Sequence, residues 1–227
     1  MAPGPLAGLP SIAAMLEHAH ADVLVLQHTL EDGPGYLGEW LDAHGHAWQV
    51  RCTEAGDDYP DTLDGFRALA VLGGEWSAND DRPSLRRAEA LIREADARGI
   101  PVIGHCLGGQ LMARAFGGRV ERLPMPEVGW LPVGVAAGAD AGLLQDWLGG
   151  LGGQGSATVY QWHYDSFVEL PPGARLLASS VACAHQAFAI GPHLGMQFHI
   201  EITPAKITDW LDHPGTVYPQ AVAQGLA

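Results

Sequence analysis

Positive charge is scarce in this 227-residue sequence: 12 Lys and Arg stand against 26 Asp and Glu, a net of −14 with His neutral. A surface that acidic repels phosphate backbones and anionic headgroups, so neither nucleic acid nor a membrane surface is an expected partner. Cysteine is scarcer still. Cys52, Cys106 and Cys183 are widely spaced, odd in number and free of any C-x-x-C pair. Neither a disulfide framework nor a structural zinc site is expected from them, and a reducing cytoplasm is the expected compartment. A basic leader is also missing. Met1 to His20 holds no Lys or Arg and is broken by Pro3, Pro5 and Pro10, the pattern of neither a signal peptide nor a membrane span.

What is present is ordinary for a globular enzyme, with 47% hydrophobic and 17% charged residues and enough length for one α/β domain. Residues 1–20 read as a lead-in, with Ser11 capping a short Ile12–His18 helix, and 21–227 as a single domain. Apolar β-branched runs predict strands at Asp22–Gln27, Ala47–Cys52, Phe66–Leu72 and Ile100–Gly104. Helices are predicted at Pro34–Ala43, Pro83–Arg98 and Leu107–Phe116, the second amphipathic and stopped by Gly99. That alternation argues for a mostly parallel sheet with helices on both faces. Beyond Gly118 short strands follow: Val128–Val135, Thr158–Trp162, Arg175–Ser179, Gln186–Ile190 and Leu194–Phe198. The glycine-dense stretch Gly149–Gly155 is expected to be a mobile loop, and a last helix is predicted over Pro204–Leu211.

Chemistry concentrates where a buried strand meets a helix, at Gly104-His105-Cys106-Leu107-Gly108. This has the G-x-nucleophile-x-G form of a nucleophile elbow, in which flanking side chains would clash with the sharp turn. The following helix points its N-terminal amides at the sulfur, which favours a thiolate. Leu107 N–H is placed to donate to an oxyanion, and a second donor is expected from the glycine turn Gly73–Trp76. A thiolate needs a base, and the base needs a group to hold its tautomer. His199 and Glu201, two apart at the end of a strand, can supply both from one face. The other histidines fit less well. His18-x-His20 and His44-x-His46 lack acidic or cysteine companions for a metal site, and strand alternation turns His105 away from Cys106 into packing. Cys52 and Cys183 have no comparable setting and read as buried structural residues.

These residues, taken together, resemble the class I glutamine amidotransferases, especially stand-alone domains similar to the amidotransferase half of GMP synthase. The likeness covers roughly 21–210 and is anchored in the family's order by Val-Leu-Gly-Gly-Glu-Trp-Ser at 71–77, Pro-Val-Ile-Gly-His-Cys-Leu-Gly-Gly-Gln at 101–110, Glu-Val-Gly-Trp at 127–130, His-Tyr-Asp at 163–165 and Gly-Met-Gln-Phe-His-Ile-Glu at 195–201. The resemblance implies a flavodoxin-like α/β fold with added antiparallel strands. It implies a Cys106–His199–Glu201 triad and an oxyanion hole from the backbone of Gly74, Trp76 and Leu107. Gln110 is implied to help hold the glutamine substrate, and His163, Tyr164 and Asp165 to form a substrate-contacting loop. No metal and no organic cofactor are implied. Three positions depart from the family pattern: Ile200 and Glu75 stand where proline is usual, and Tyr164 where glycine is.

The implied reaction is hydrolysis of the glutamine side-chain amide through a cysteinyl thioester, giving glutamate and ammonia. The ammonia either goes to a separate synthetase subunit, or the domain acts alone as a peptidase or hydrolase on another γ-glutamyl compound. An α/β-hydrolase with a cysteine nucleophile would place its acid before its histidine in the chain, and here Glu201 follows His199. A binding domain that has lost turnover is the non-enzymatic alternative.

Overall fold

The apolar run after Ala21 forms β1 (Val23–Gln27), buried along its whole length as a central parallel strand must be. It pairs in parallel with β2 (Trp48–Cys52) on one side and β3 (Ala68–Val71) on the other. β4 (Val102–His105) and β9 (His193–Met196) extend the parallel part. From β9 the sheet turns antiparallel through β8 (Ala187–Ile190), β7 (Arg175–Ser179), β5 (Arg119–Val135) and β6 (Ser156–Glu169), in the order β2-β1-β3-β4-β9-β8-β7-β5-β6. The structure, a computed structural model, describes residues 21–152 and 155–212. The expected Ser11 cap and Ile12–His18 helix lie outside the described residues.

Helices cover both faces of the parallel part. α1 (Tyr36–Ala43) sets Leu37 and Leu41 against Val23, Val25, Ala70 and Leu72. On the opposite face α2 (Pro83–Arg98) and α3 (Leu107–Ala115) bury Leu85, Leu91, Ile92, Leu111 and Met112 against Leu24, Leu26, Leu69 and Val71. The bounds of α2 are those read from its apolar spacing; Pro83 opens it, and Gly99 closes it in a left-handed conformation at φ 66°. α5 (Pro204–Asp212) follows the end of the sheet. No helix among the described residues is long and apolar enough to cross a membrane.

Beyond Gly118 the sequence reading needs correction. The short strands expected at Val128–Val135 and Thr158–Trp162 are parts of one long β5–β6 hairpin, whose register slips between Arg122 and Glu127. Pro124 and Pro126 lie in that slip and have no N–H to offer the ladder, so the sequence pattern breaks where the strand does not. His163–Asp165 consequently lies within β6 rather than in a loop. The stretch expected to be a loop from Gly149 is helical as far as Gly152, in α4 (Ala141–Gly152), which departs from helical geometry at Leu148. Asp140 accepts the backbone N–H groups of Gly142 and Leu143 at 2.9 and 3.1 Å, an N-cap that offsets the poor helix propensity of the glycines.

Candidate active site

The end of β4 and the start of α3 are joined by Cys106, the one non-glycine residue with positive φ among those described, at φ 46° and ψ −108°. Such a backbone is costly for any residue with a side chain, and it persists where its surroundings enforce it. Cys106 N–H donates to the Met196 carbonyl of β9 at 2.9 Å, and its own carbonyl accepts from Gln110 N–H at 3.0 Å. The flanking glycines are required by contact. A Cβ on Gly108 would stand 2.0 Å from the Val71 carbonyl oxygen, and one on Gly104 would stand 2.7 Å from the Gly108 backbone. The sulfur is thus held at the edge of a cavity of about 560 Å³, beside the unpaired N-terminal amides of α3.

The cavity is lined by Cys106, Leu107 and Gln110, by the turn Gly74-Glu75-Trp76-Ser77, by His199 and by the β6 residues Trp162 to Asp165. Glu31, Asp32, Arg122 and Trp210 complete it. A Cβ on the neighbouring Gly73 would meet His199 Cε1 at 3.0 Å and Cys106 Cβ at 3.7 Å, so thiol and imidazole flank the same glycine. Cys106 Sγ also donates to the Trp162 carbonyl at 3.8 Å.

β9 ends at Met196, short of the strand expected to run to Phe198, so His199 and Glu201 lie in an irregular segment beyond it. A single bridge holds that segment to β6, with His199 N–H donating to the Tyr160 carbonyl at 2.9 Å. Tyr36 N–H, at the start of α1, donates to the Glu201 carbonyl at 2.9 Å. Between those anchors the two side chains meet, His199 Nδ1 at 2.7 Å from Glu201 Oε1. His199 Nε2 has no hydrogen-bond partner among the described residues and lies within electrostatic reach of Cys106. Both side chains are almost wholly buried. Burial by itself lowers the His199 pKa, but the Glu201 carboxylate and then Cys106 outweigh it, so the net shift is upward from 6.5. Burial by itself raises the Glu201 pKa, and the imidazoles of His105 and His199 outweigh that, so the net shift is downward from 4.5.

The expected oxyanion and substrate residues, Gly74, Trp76, Leu107, Gln110, His163, Tyr164 and Asp165, all line the cavity, with several of their polar atoms committed. Gln110 Nε2 donates to the Asp165 carbonyl at 2.9 Å. His163 lies with Nδ1 3.1 Å from that same carbonyl and Nε2 3.2 Å from Glu127 Oε2, inside a network in which Ser180 and Gln186 also donate to Glu127. Asp165 accepts the Ser77 hydroxyl at 2.6 Å. Gly74, Trp76 and Leu107 line the same cavity as Cys106, and the Trp76 ring carries the Arg82 guanidinium 3.9 Å above it. Glu75 and Tyr164, two of the departures from the family pattern, both face the cavity; Ile200, the third, is half exposed.

Several cavity residues were not legible in the sequence. Trp210 of α5 stands edge-on to His199 with centroids 5.1 Å apart and donates its indole N–H to Asp32 at 2.9 Å. Asp32 also holds Lys206, the only lysine of the chain, at 3.6 Å. Arg122 lies over the Tyr164 ring at 5.0 Å. His105 is fully buried as expected, yet it turns toward Glu201, with Nε2 3.9 Å from Oε2. No short-range pattern marks Asp32, Arg122, Lys206 or Trp210, because each comes from a segment distant in sequence from the elbow. Among the described residues no three His, Cys, Asp or Glu come together as a metal would need, and His44 and His46 stack on Trp40.

The glutamine amidotransferase class-I family model matches residues 48–211. The glutamine amidotransferase-like protein YfeJ of Salmonella typhimurium is 30% identical over 83% of this chain and 79% of its own length. A glutamine-hydrolyzing GMP synthase subunit of Thermococcus kodakarensis is 31% identical over 62% of this chain and 71% of its own. The crystal structure of a glutamine amidotransferase from Methylobacillus flagellatus superposes with a TM-score of 0.79 at 36% identity, covering 88% of this chain and 77% of that one. With the matched segment spanning the elbow, the β6 wall and the His199–Glu201 pair, this chain belongs to the class I glutamine amidotransferase family.

Proposed function

We propose that the protein hydrolyses the side-chain amide of glutamine through Cys106 and delivers ammonia to an acceptor on a separate synthetase subunit. The observation that carries this reading is the strained Cys106 elbow in one cavity with a histidine bound to a buried carboxylate at 2.7 Å. Cys106 Sγ, its proton taken by His199, attacks the amide carbon. The backbone amides at Leu107 and at the Gly74–Trp76 turn take the oxyanion, a contribution typically worth about 100- to 1,000-fold in rate. His199 returns the proton to the leaving nitrogen, the C–N bond breaks, and ammonia departs from a γ-glutamyl thioester. A water deprotonated by His199 then attacks the thioester, the S–C bond breaks, and the proton from His199 restores the thiol beside free glutamate. Glu201 keeps the His199 tautomer and balances the imidazolium. No step calls for a metal or organic cofactor. The separate acceptor follows the Thermococcus relative, itself named as one subunit of its enzyme. Free, buried cysteines suit a reducing cytoplasm.

Glutamate release from glutamine, with and without candidate synthetases, tests the reading. A glutamine-mimicking electrophile should add to Cys106, and Cys106→Ala should abolish both turnover and labelling while leaving the melting temperature within a few degrees. An unlabelled thiol and no glutamate from a folded protein would overturn it.

A second reading has its own support. The cavity is roomier than one amino acid requires, and Arg122 at its wall is stacked on Tyr164 with no carboxylate partner among the described residues. That combination suits a γ-glutamyl amino acid, whose extra carboxylate Arg122 would hold. Under this reading Arg122→Gln weakens turnover of γ-glutamylglycine and spares that of glutamine; equal effects on both substrates would exclude it.

A further inference from the structure

Glu201 is 2% exposed, and only one of its carboxylate oxygens has a hydrogen-bond partner among the described residues. Oε1 takes the His199 Nδ1–H, whereas Oε2 is buried and unsatisfied. Ionised oxygen removed from water carries a large penalty unless donors replace the lost water, so an orphaned oxygen in such a place calls for an explanation. The side chain facing it is His105, with Nε2 at 3.9 Å. That ring is fully buried, and neither of its nitrogens has a hydrogen-bond partner. An unsatisfied acceptor and an unsatisfied donor, both buried, thus face each other.

Their placement is built into the fold. His105 is the last residue of β4, paired with Met196 of β9, and so shares the ladder that fixes Cys106 one position later. Its ring reaches the α1 side of the sheet, where the Glu201 backbone is held by Tyr36 N–H. We propose that His105 is a positioning residue, donating Nε2–H to Glu201 Oε2 and so fixing the carboxylate that orients His199; the inference rests on the reaction proposed above. The 3.9 Å gap closes to a normal bond with about 1 Å of side-chain movement.

Charge in the surroundings is consistent with a neutral donor. Burial holds the His105 pKa below its ordinary value, and the attraction of Glu201 opposes this only in part. A neutral ring protonated on Nε2 satisfies the carboxylate without a second cation that would compete with His199. The other charged groups facing the pair are His199 and Lys206, and Lys206 is engaged by Asp32 and the Gly33 carbonyl. Asp22, His46 and Arg67 line the groove on the α1 side into which His105 and Glu201 also face.

The test uses the full chain and two variants: His105→Leu removes the donor, and His105→Gln retains an N–H that cannot ionise. With glutamine as substrate, His105→Leu is expected to lower kcat about 10- to 100-fold, as for loss of a hydrogen bond to a charged group. KM should stay within about twofold, and the acid limb of the pH–rate profile should move up because Glu201 loses a donor. His105→Gln should recover most of kcat and the wild-type acid limb. An activity-free readout runs in parallel: the His199 Nδ1–H resonance should shift in His105→Leu and return in His105→Gln. A folded His105→Leu with unchanged kcat, acid limb and His199 resonance overturns the proposal, as does a Gln variant impaired like the Leu one. A wild type inert toward glutamine, with the resonance still moving in His105→Leu, would sink the amidotransferase reading while keeping the His105–Glu201 bond.

Discussion

Replacing Glu201 by glutamine keeps the volume of the side chain and removes its charge, at a position 2% exposed. Two effects follow from the geometry. The His199 Nδ1–Oε1 contact at 2.7 Å is a charge-assisted hydrogen bond, worth about 1.5–3 kcal/mol. In the proposed reaction the same carboxylate stabilises the imidazolium that forms when His199 takes the Cys106 proton. Two unit charges about 4 Å apart at an effective dielectric of about 20 attract by about 4 kcal/mol. The effects overlap, so the larger sets a ceiling of roughly 1,000-fold and the weaker end of the bond a floor of roughly 10-fold in kcat. We expect a loss near 100-fold in kcat with KM little changed, since Glu201 does not line the cavity proposed to hold the substrate. Steady-state glutamate release measures this, and thermal melting of the same samples separates a chemical loss from unfolding. A folded Glu201→Gln protein retaining more than about a third of wild-type kcat would refute the reasoning.

Melting against pH carries a second expectation with a definite sign. Glu201, held below 4.5, contributes stability that is present above that value and lost as pH falls toward its depressed folded pKa. His199, held above 6.5, contributes stability that is complete below that value and lost as pH rises through its raised folded pKa. Wild type should therefore lose more stability on the alkaline side than Glu201→Gln does; parallel alkaline limbs would contradict the pairing. Gly108→Ala places a Cβ 2.0 Å from the Val71 carbonyl and should cost about 3 kcal/mol, a fall of roughly 6–12 °C in melting temperature. A fall under about 2 °C would show that the elbow can relax. Trp210→Ala removes an aromatic wall worth about 1 kcal/mol, so kcat/KM should drop about fivefold, mainly through KM, and a kcat-only effect would instead point to misplacement of His199.

The corner around Cys106 was legible in the sequence because its physics is local. A buried strand, glycines at 104 and 108 and a helix start within a few residues describe one tight turn, and no distant contact is needed to read it. The bounds of α2 were legible for the same reason, as apolar spacing, Pro83 and Gly99 all act within the helix itself. The His199–Glu201 pair was anticipated by an argument the structure revises. The segment is not a strand, and the side chains meet because Tyr160 and Tyr36 anchor its two ends. The β5–β6 hairpin was read too short because Pro124 and Pro126 interrupt the local signal while the partner strand carries the pairing across.

By itself the sequence determined the parallel α/β half, the placement of a cysteine on a strained elbow, and an acidic chain carrying the anchors of its family. Tertiary structure alone decided that His105 faces Glu201, that His163 spends its imidazole on Glu127, and that Arg122 and Trp210 wall the cavity. The division has a physical cause. Turns and helix ends are settled by dihedral preferences over a few residues, whereas the partner of a buried polar group is settled by whichever distant segment the sheet order brings beside it.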